Sequence, residues 1–308
     1  MKIIVYVIVF FLFTWNGTVL AAADSLVATD GEGKLPTVAK SYNRIISLYS
    51  AHTENLVSLK ASDQIIGISR SDDYPETILT KPRFSYRDGL EKFIAASPDL
   101  VLVRPMIERA CPQLLGRLRQ AGIKVISLQP TSVEGIFDYW RALGGLTGRE
   151  EGAENMIESF KAELKQITKK VRNIPQEQRP RVYFEAIHKR MKTFAPQSIA
   201  TFVLEEAGGI NIANDAFQVR KTNIAAYGKE RILGKAMEID FFIAQKGRMN
   251  PINHETITNE PGFQAIRAVR KGNVFLINEN LVSRPTLRIL EGVRQLSTIL
   301  YPDGDVDG

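Results

Sequence analysis

The stretch GREEGAENMIESFKAELKQITKKVRN, residues 148–173, constrains this chain more than any other. Apolar residues recur at Ala153, Met156, Ile157, Phe160, Leu164, Ile167 and Val171. Steps of three and four draw one apolar stripe along an α-helix. Glu150, Glu151 and Glu154 crowd its start and Lys169, Lys170 and Arg172 its end, the order that the helix dipole favours. Pro175 and Pro180 then stop it. About 25 residues at roughly 1.5 Å each would span nearly 40 Å, more than the width of a small domain. Such a helix either packs along one domain or acts as a strut joining two lobes. The similar make-up of the segments on either side favours the strut.

Before the helix, RIISL (44–48), QIIGIS (64–69), SPDLVLV (97–103) and KVISL (124–128) read as short buried strands. Helical segments separate them: Thr53 to Leu59, LEKFIAA (90–96) and PQLLGRLRQAG (112–122). After it, RVYFEAI (181–187), DFFIAQ (240–245) and NVFLIN (273–278) read as strands. SIATFVLEEAGG (198–209), ERILGKA (230–236), FQAIRAVRKG (263–272) and RILEGVRQLSTILYP (288–302) read as helices. Strands alternating with helices imply mostly parallel sheets with helices on their faces. LEKFIAA before DLVLV and ERILGKA before DFFIA hold parallel places in the two halves. The expected fold is α/β, with an N-terminal lobe over 44–147 and a C-terminal lobe over 174–308. The helix 148–173 bridges them rigidly.

Residues 1–23 read as a cleavable signal peptide: Lys2, the run IIVYVIVFFLF, small residues, and AAA before Asp24. The run is short for a membrane span. The expected product is secreted and periplasmic, with a polar, flexible N-terminal arm over 24–43. The chain's one cysteine is Cys111, so no internal disulfide forms and none stands at the cleavage site to carry a lipid. The implied mature protein has no lipid anchor and is monomeric, its stability coming from buried apolar surface. Of 308 residues, 285 follow the signal, enough for two cores. Lys and Arg number 40 against 34 acids, a net +6, or +5 without Lys2. The excess is modest and not gathered into long runs, which argues against a nucleic-acid partner.

In open α/β sheets, ligands bind beyond the carboxyl ends of the strands. That rule selects loops carrying Tyr49, His52, Arg70 and Arg104 in the first half, with Tyr86 and Arg87 expected beside them. In the second it selects loops carrying His188, Arg190, Arg248 and Arg284, with Tyr227 expected beside them. Pooled, these side chains suit an anionic or hydrogen-bonding ligand with a flat face. His52 and His188 allow a metal bridging the lobes, but no His-x-x-x-His spacing accompanies them; no metal site is assigned. Asp72–Asp73 in SRSDDYP reads as a turn. No Gly-x-Ser-x-Gly elbow, phosphate-cradling loop or paired nucleophile and base is present, so no catalytic residue is assigned.

The order of these pieces resembles the iron-complex and vitamin B12 class of periplasmic substrate-binding proteins of ABC importers. RIISLYSAHTENLVSLKASDQIIGIS, SDDYP, LEKFIAASPDLVLV, LRQAGIKVISL, the strut and GNVFLI carry the likeness, from Arg44 to Pro302. The resemblance implies two lobes joined by one helix and no enzymatic activity. It implies an ABC permease with its ATPase as partner, docked through one acidic residue per lobe, matching Glu91 and Glu230. First-turn glutamates also stabilise helix starts without any partner. The implied ligand is a large iron or cobalt chelate: a ferric siderophore, haem or cobalamin. No intrinsic cofactor is implied. Vitamin B12 binders share the SDDYP likeness but tend to place tryptophans in the cleft, and here only Trp15 and Trp140 exist. Haem binders use a tyrosine near Tyr86, and the arginine-rich loops suit an anionic ferric chelate. Free-metal or oxyanion receptors, a chelatase-like enzyme and a sensor lobe for a receptor kinase are the competing readings.

Overall fold

The runs that alternate apolar residues with helical segments assemble into two sheets. The computed structural model describes residues 26–29, 41–130, 132–218 and 222–302; the expected signal peptide, residues 1–23, lies outside them. In the first lobe the strands are β1 (Leu26–Thr29), β2 (Ile45–Ser47), β3 (Ile65–Ser69), β4 (Arg83–Phe84), β5 (Leu100–Val103) and β6 (Lys124–Pro130). Their order is β1-β6-β5-β2-β3-β4. Strands β2 to β6 run parallel. Helices α1 (Ser50–Ser58), α2 (Leu90–Ala96), α3 (Pro105–Ala110), α4 (Pro112–Gln120) and α5 (Glu134–Thr147) cover them. Every residue of β5 is buried, as expected of a parallel strand covered on both faces. Gly67 in β3 makes room for the Phe84 ring, which a Cβ there would meet at 2.5 Å.

Two local expectations are corrected. Residues 24–43 are not wholly a loose arm: Leu26–Thr29 pair antiparallel with Ser127–Pro130. A short apolar, β-branched run thereby occupies the otherwise unpaired edge of β6. Helix α1 begins at Ser50 rather than Thr53, whose hydroxyl instead bonds Ser47 Oγ and Asp72 Oδ2.

The connecting helix, α6, spans Glu150–Thr168, about 28 Å at 1.5 Å per residue. It is shorter than 148–173 for a local reason at each end. Gly148, at φ 66°, closes α5 in the left-handed conformation. Beyond Thr168 the chain turns through a short 3-10 segment, Val171–Asn173, toward Pro175. The stripe faces inward as expected, with Ala153, Met156, Ile157 and Phe160 buried. Phe160 meets the Trp140 ring of α5 edge-on, centroids 5.3 Å apart.

The second lobe holds β7 (Arg181–Ile187), β8 (Lys192–Phe194), β9 (Ile210–Asn211), β10 (Phe217–Gln218), β11 (Ile224–Ala226), β12 (Phe241–Lys246) and β13 (Val274–Asn278). The sheet is ordered β10-β11-β8-β7-β12-β13, with β9 also against β7. It is mixed: β7, β12 and β13 run parallel, while β8, β10 and β11 are antiparallel to their neighbours. Its helices are α7 (Ile199–Glu206), α8 (Lys229–Gly234), α9 (His254–Thr258), α10 (Arg267–Arg270), α11 (Glu279–Val282) and α12 (Ile289–Leu300). Ser198 caps α7 by accepting from Thr201 N–H. One apolar core runs through both lobes, from Ile45 and Leu102 across Trp140 and Phe160 to Val182 and Leu296. Each sheet has a second, separate core on its other face. Among the described residues no helix is long and apolar enough to cross a membrane.

Candidate functional site

The carboxyl edges of the two sheets face each other. Asp73, in the loop after β3, accepts from Asn280 Nδ2 at 3.0 Å and from Arg284 at 2.9 Å in the other lobe. Beside this contact opens a cleft of about 390 Å³, lined by Asp73, Lys246, Arg248, Asn278, Asn280 and Arg284 among others. A second cavity, about 530 Å³, lies where β7 and β12 begin, near Arg181, Asp240 and Asn273. That is the amino-end edge, away from the loops where such sheets hold ligands.

In the first lobe the strand order reverses between β2 and β5, and the loops leaving these strands carry Tyr49 and Arg104. The Arg104 guanidinium lies 4.8 Å from the Tyr49 ring centroid, within cation–π range. Both side chains are half-buried. Beyond β4, exposed Arg87 lies 5.6 Å from the Tyr86 ring. In the second lobe Arg190 and Arg248 are exposed on the loops after β7 and β12, with Lys246 beside Arg248. Among the described residues Arg87, Arg104, Arg190 and Arg248 have no carboxylate partner. The cleft loops thus carry unpaired positive charge beside aromatic faces. Exposed Met106, in the first turn of α3, and Met249, on the loop after β12, lie beside them, and nothing in their sequence setting marked them.

Four other expected residues are buried or already paired, Arg284 in the wall of the cleft itself. His52 is fully buried; its Nδ1 is 2.7 Å from the Tyr139 hydroxyl and its Nε2 2.9 Å from the Val103 carbonyl. Burial lowers its pKa to about 4, so the ring is neutral and has no nitrogen left for a ligand. Arg284 is a clamp between the lobes, 2.6 Å from Glu54 and 2.9 Å from Asp73. Its charge is spent on carboxylates far away in sequence. Tyr227 is buried against Tyr183 and covered by Arg231, whose guanidinium is 4.3 Å from its ring. Arg70 is exposed but bound to Asp88 at 2.6 Å, which leaves it on the rim.

His188 follows β7 as expected but is buried. Its Nδ1 lies 3.0 Å from Glu185 Oε2 and its Nε2 3.5 Å from Glu260 Oε2, while Lys229 holds Glu260 at 2.6 Å. Burial pulls the imidazole pKa down, but the Glu185 and Glu260 carboxylates outweigh it and the net shift is upward. Asn250, which sequence reasoning passed over, receives the His188 N–H and donates to the Gln245 carbonyl. Among the described residues no group of three or more His, Cys, Asp or Glu side chains is arranged to hold a metal ion. Asp72 is the turn residue expected, buried and accepting from Ser69 N–H and Thr53.

Glu91 and Glu230 both lie in the first turn of a short helix, α2 and α8, and both are exposed. Each comes two residues after a glycine N-cap, Gly89 and Gly228. The two carboxylates thus occupy matching local settings, one per lobe. Among the described residues Glu91 has only a long ion pair, 4.0 Å to Arg117.

Comparison with known proteins places the chain by sequence and fold. The chain is 25% identical over 281 residues to YvrC of Bacillus subtilis, an uncharacterized ABC transporter substrate-binding lipoprotein, covering 89% of this chain and 85% of that one. It is 26% identical over 264 residues to the vitamin B12-binding protein of Vibrio cholerae, covering 83% and 88%. The crystal structure of a possible iron-binding (periplasmic solute-binding) protein from Staphylococcus epidermidis superposes with a TM-score of 0.74. It is 28% identical, over 85% of this chain and all of that one. Residues 45–281 match the periplasmic binding protein family, and the chain, two α/β lobes on one connecting helix, belongs to that family of non-enzymatic binding proteins.

Proposed function

We propose that the protein is the extracytoplasmic solute-binding component of an ABC importer, and that it captures an anionic metal chelate between its lobes. The ligand class is a ferric siderophore, haem or a corrinoid. One observation carries this: the Tyr49–Arg104 pair at the strand-order switch of the first sheet, with unpaired Arg190 and Arg248 on the second. Aromatic faces take the flat or lipophilic body of a chelate, and free guanidiniums take its carboxylates or negative donor groups. A bare cation is poorly served by such a cleft, whose exposed side chains are guanidiniums and whose His52 has both nitrogens bonded. The likeness to a vitamin B12-binding protein and to an iron-binding candidate supports the class. Delivery to the permease is proposed to run through Glu91 and Glu230.

The test is fluorescence titration of residues 24–308, in which Trp140 is the only tryptophan. The panel is a ferric hydroxamate, a ferric catecholate, haemin, cyanocobalamin, molybdate and free divalent metals. Saturable binding of one chelate at one equivalent is expected. Binding of free metal or molybdate alone, or of nothing, overturns the proposal.

A further inference from the structure

His52, buried and so kept from direct ligand contact, occupies a junction between three elements. It lies in α1, and both ring nitrogens reach other elements: Tyr139 of α5 and Val103 of β5. A backbone carbonyl only accepts, so Nε2–H donates to Val103 O. Neutral Nδ1 then accepts from the Tyr139 hydroxyl, which fixes the tautomer and the ring plane. Val103 is the residue immediately before Arg104. The Tyr49 ring stands against the same imidazole at 89°, centroids 5.1 Å apart, and His52 N–H donates to the Tyr49 carbonyl at 2.9 Å. One buried side chain therefore touches the two loops that present Tyr49 and Arg104.

We propose that His52 is a positioning residue of the cleft, holding the Tyr49 ring and the Arg104 loop in the mutual geometry that receives the ligand. The inference rests on the chelate-binding reading above. It asks more of His52 than core filling: an apolar side chain of similar volume satisfies packing but gives up the bonds to the Val103 carbonyl and the Tyr139 hydroxyl. Both losses fall beside the platform, because Val103 leads directly into Arg104.

Three variants test it: His52→Phe keeps a ring against Tyr49 without the bonds, His52→Gln offers one donor and one acceptor, and Tyr139→Phe removes one hydroxyl. Haemin, ferrichrome and cyanocobalamin serve as probes, and whichever binds the native protein is carried through. His52→Phe is expected to weaken binding at least tenfold and His52→Gln by less than threefold. The decisive measurement is a cycle with Arg104→Ala. In that background His52→Phe or Tyr139→Phe should have little further effect, because the platform is already lost. Additive losses assign His52 a purely structural role and overturn the proposal. Should His52→Phe fail to fold, the milder Tyr139→Phe cycle decides alone. A ligand-free arm separates this inference from the function it rests on: nitration of Tyr49 by tetranitromethane, read by peptide mass. The rate should rise several-fold in the folded His52 or Tyr139 variants. An unchanged rate refutes the positioning even if a chelate binds. A raised rate with no chelate bound leaves the positioning standing and refutes the proposed cargo.

Discussion

Replacing Arg284 by Met should destabilise the protein severely, and replacing its partner as well should restore most of the loss. The guanidinium is 2.6 Å from Glu54 and 2.9 Å from Asp73; the side chains of Arg284 and Glu54 are only 13% and 3% exposed, whereas Asp73 is 53% exposed. The exposed contact contributes at most about 1 kcal/mol. The buried one behaves differently. Burial raises the Glu54 carboxyl pKa, and Arg284 is the strongest influence pulling it down. Without the guanidinium, Glu54 must stay charged in an apolar setting or take up a proton. Either way the cost is about 3–5 kcal/mol. For a chain of this size that is roughly 5–8 °C in Tm. The Glu54→Leu/Arg284→Met double variant removes both charges, and such apolar replacements are about neutral in stability. Urea unfolding of residues 24–308 should therefore give a coupling of at least about 2 kcal/mol. A single variant within about 1 kcal/mol of the native protein would refute the clamp, as would a double variant that merely sums the two losses.

Three further outcomes are expected. Glu91→Ala with Glu230→Ala should abolish transport in cells while chelate affinity stays native; a loss of affinity sinks the docking assignment. Acid should weaken the fold through His52, whose pKa is near 6.5 in the unfolded chain and about 4 in the folded protein. In that window the unfolded state binds the extra proton, so stability is full above pH 6.5 and falls toward pH 4, by about 3 kcal/mol in all. Subtracting the urea-derived profile of His52→Gln isolates this loss, and parallel profiles contradict it. Finally, Arg248→Ala should cost about 1.5–3 kcal/mol of affinity for a negatively charged chelate, and binding should weaken with salt. Salt-independent binding would point to a neutral ligand.

The sequence announces features that repeat locally. The stripe of α6 and the buried runs of β2, β5, β7 and β12 are read from neighbours three, four or two positions away. Glu91 and Glu230 stand out because their helix starts precede corresponding strands in the two halves. What stayed hidden depends on distance along the chain. Arg284 on a loop looks like any solvated arginine, and its partner Glu54 is 230 residues away. His52 looks like a loop histidine until Tyr139 and Val103, 87 and 51 residues on, close over it. Among strands of two or three residues β2 lies in the apolar run RIISL, whereas β4 and β8 to β11 are too short to show a period of two. They are set by the partners they pair with, as is β1, whose LVAT run lies in a polar segment.

Two features stiffen the frame against wide opening of the cleft. The core shared by the lobes runs along α5, α6, α7 and α12, and the Pro285 carbonyl accepts from both Asn55 and Trp140 of the first lobe. A swing of one lobe would break the Arg284 clamp and expose that core. Occupancy should therefore reach a partner through local change at the cleft loops, and one route is built. The turn His188–Arg190 carries the exposed Arg190, and the next residue, Met191, accepts from Gly228 N–H at 2.9 Å. Gly228 is the N-cap of α8, at φ 94°, and Glu230 follows two residues later. His188 is tied to the same helix through Glu260 and Lys229. On this hypothesis, ligand binding should slow amide exchange at residues 188–191 and 228–230 together, with the radius of gyration almost unchanged. Lys229→Met should uncouple the two segments, leaving protection at 188–191 alone. A large fall in the radius of gyration on binding would show instead that lobe closure carries the signal, and the clamp would then have to release on each cycle.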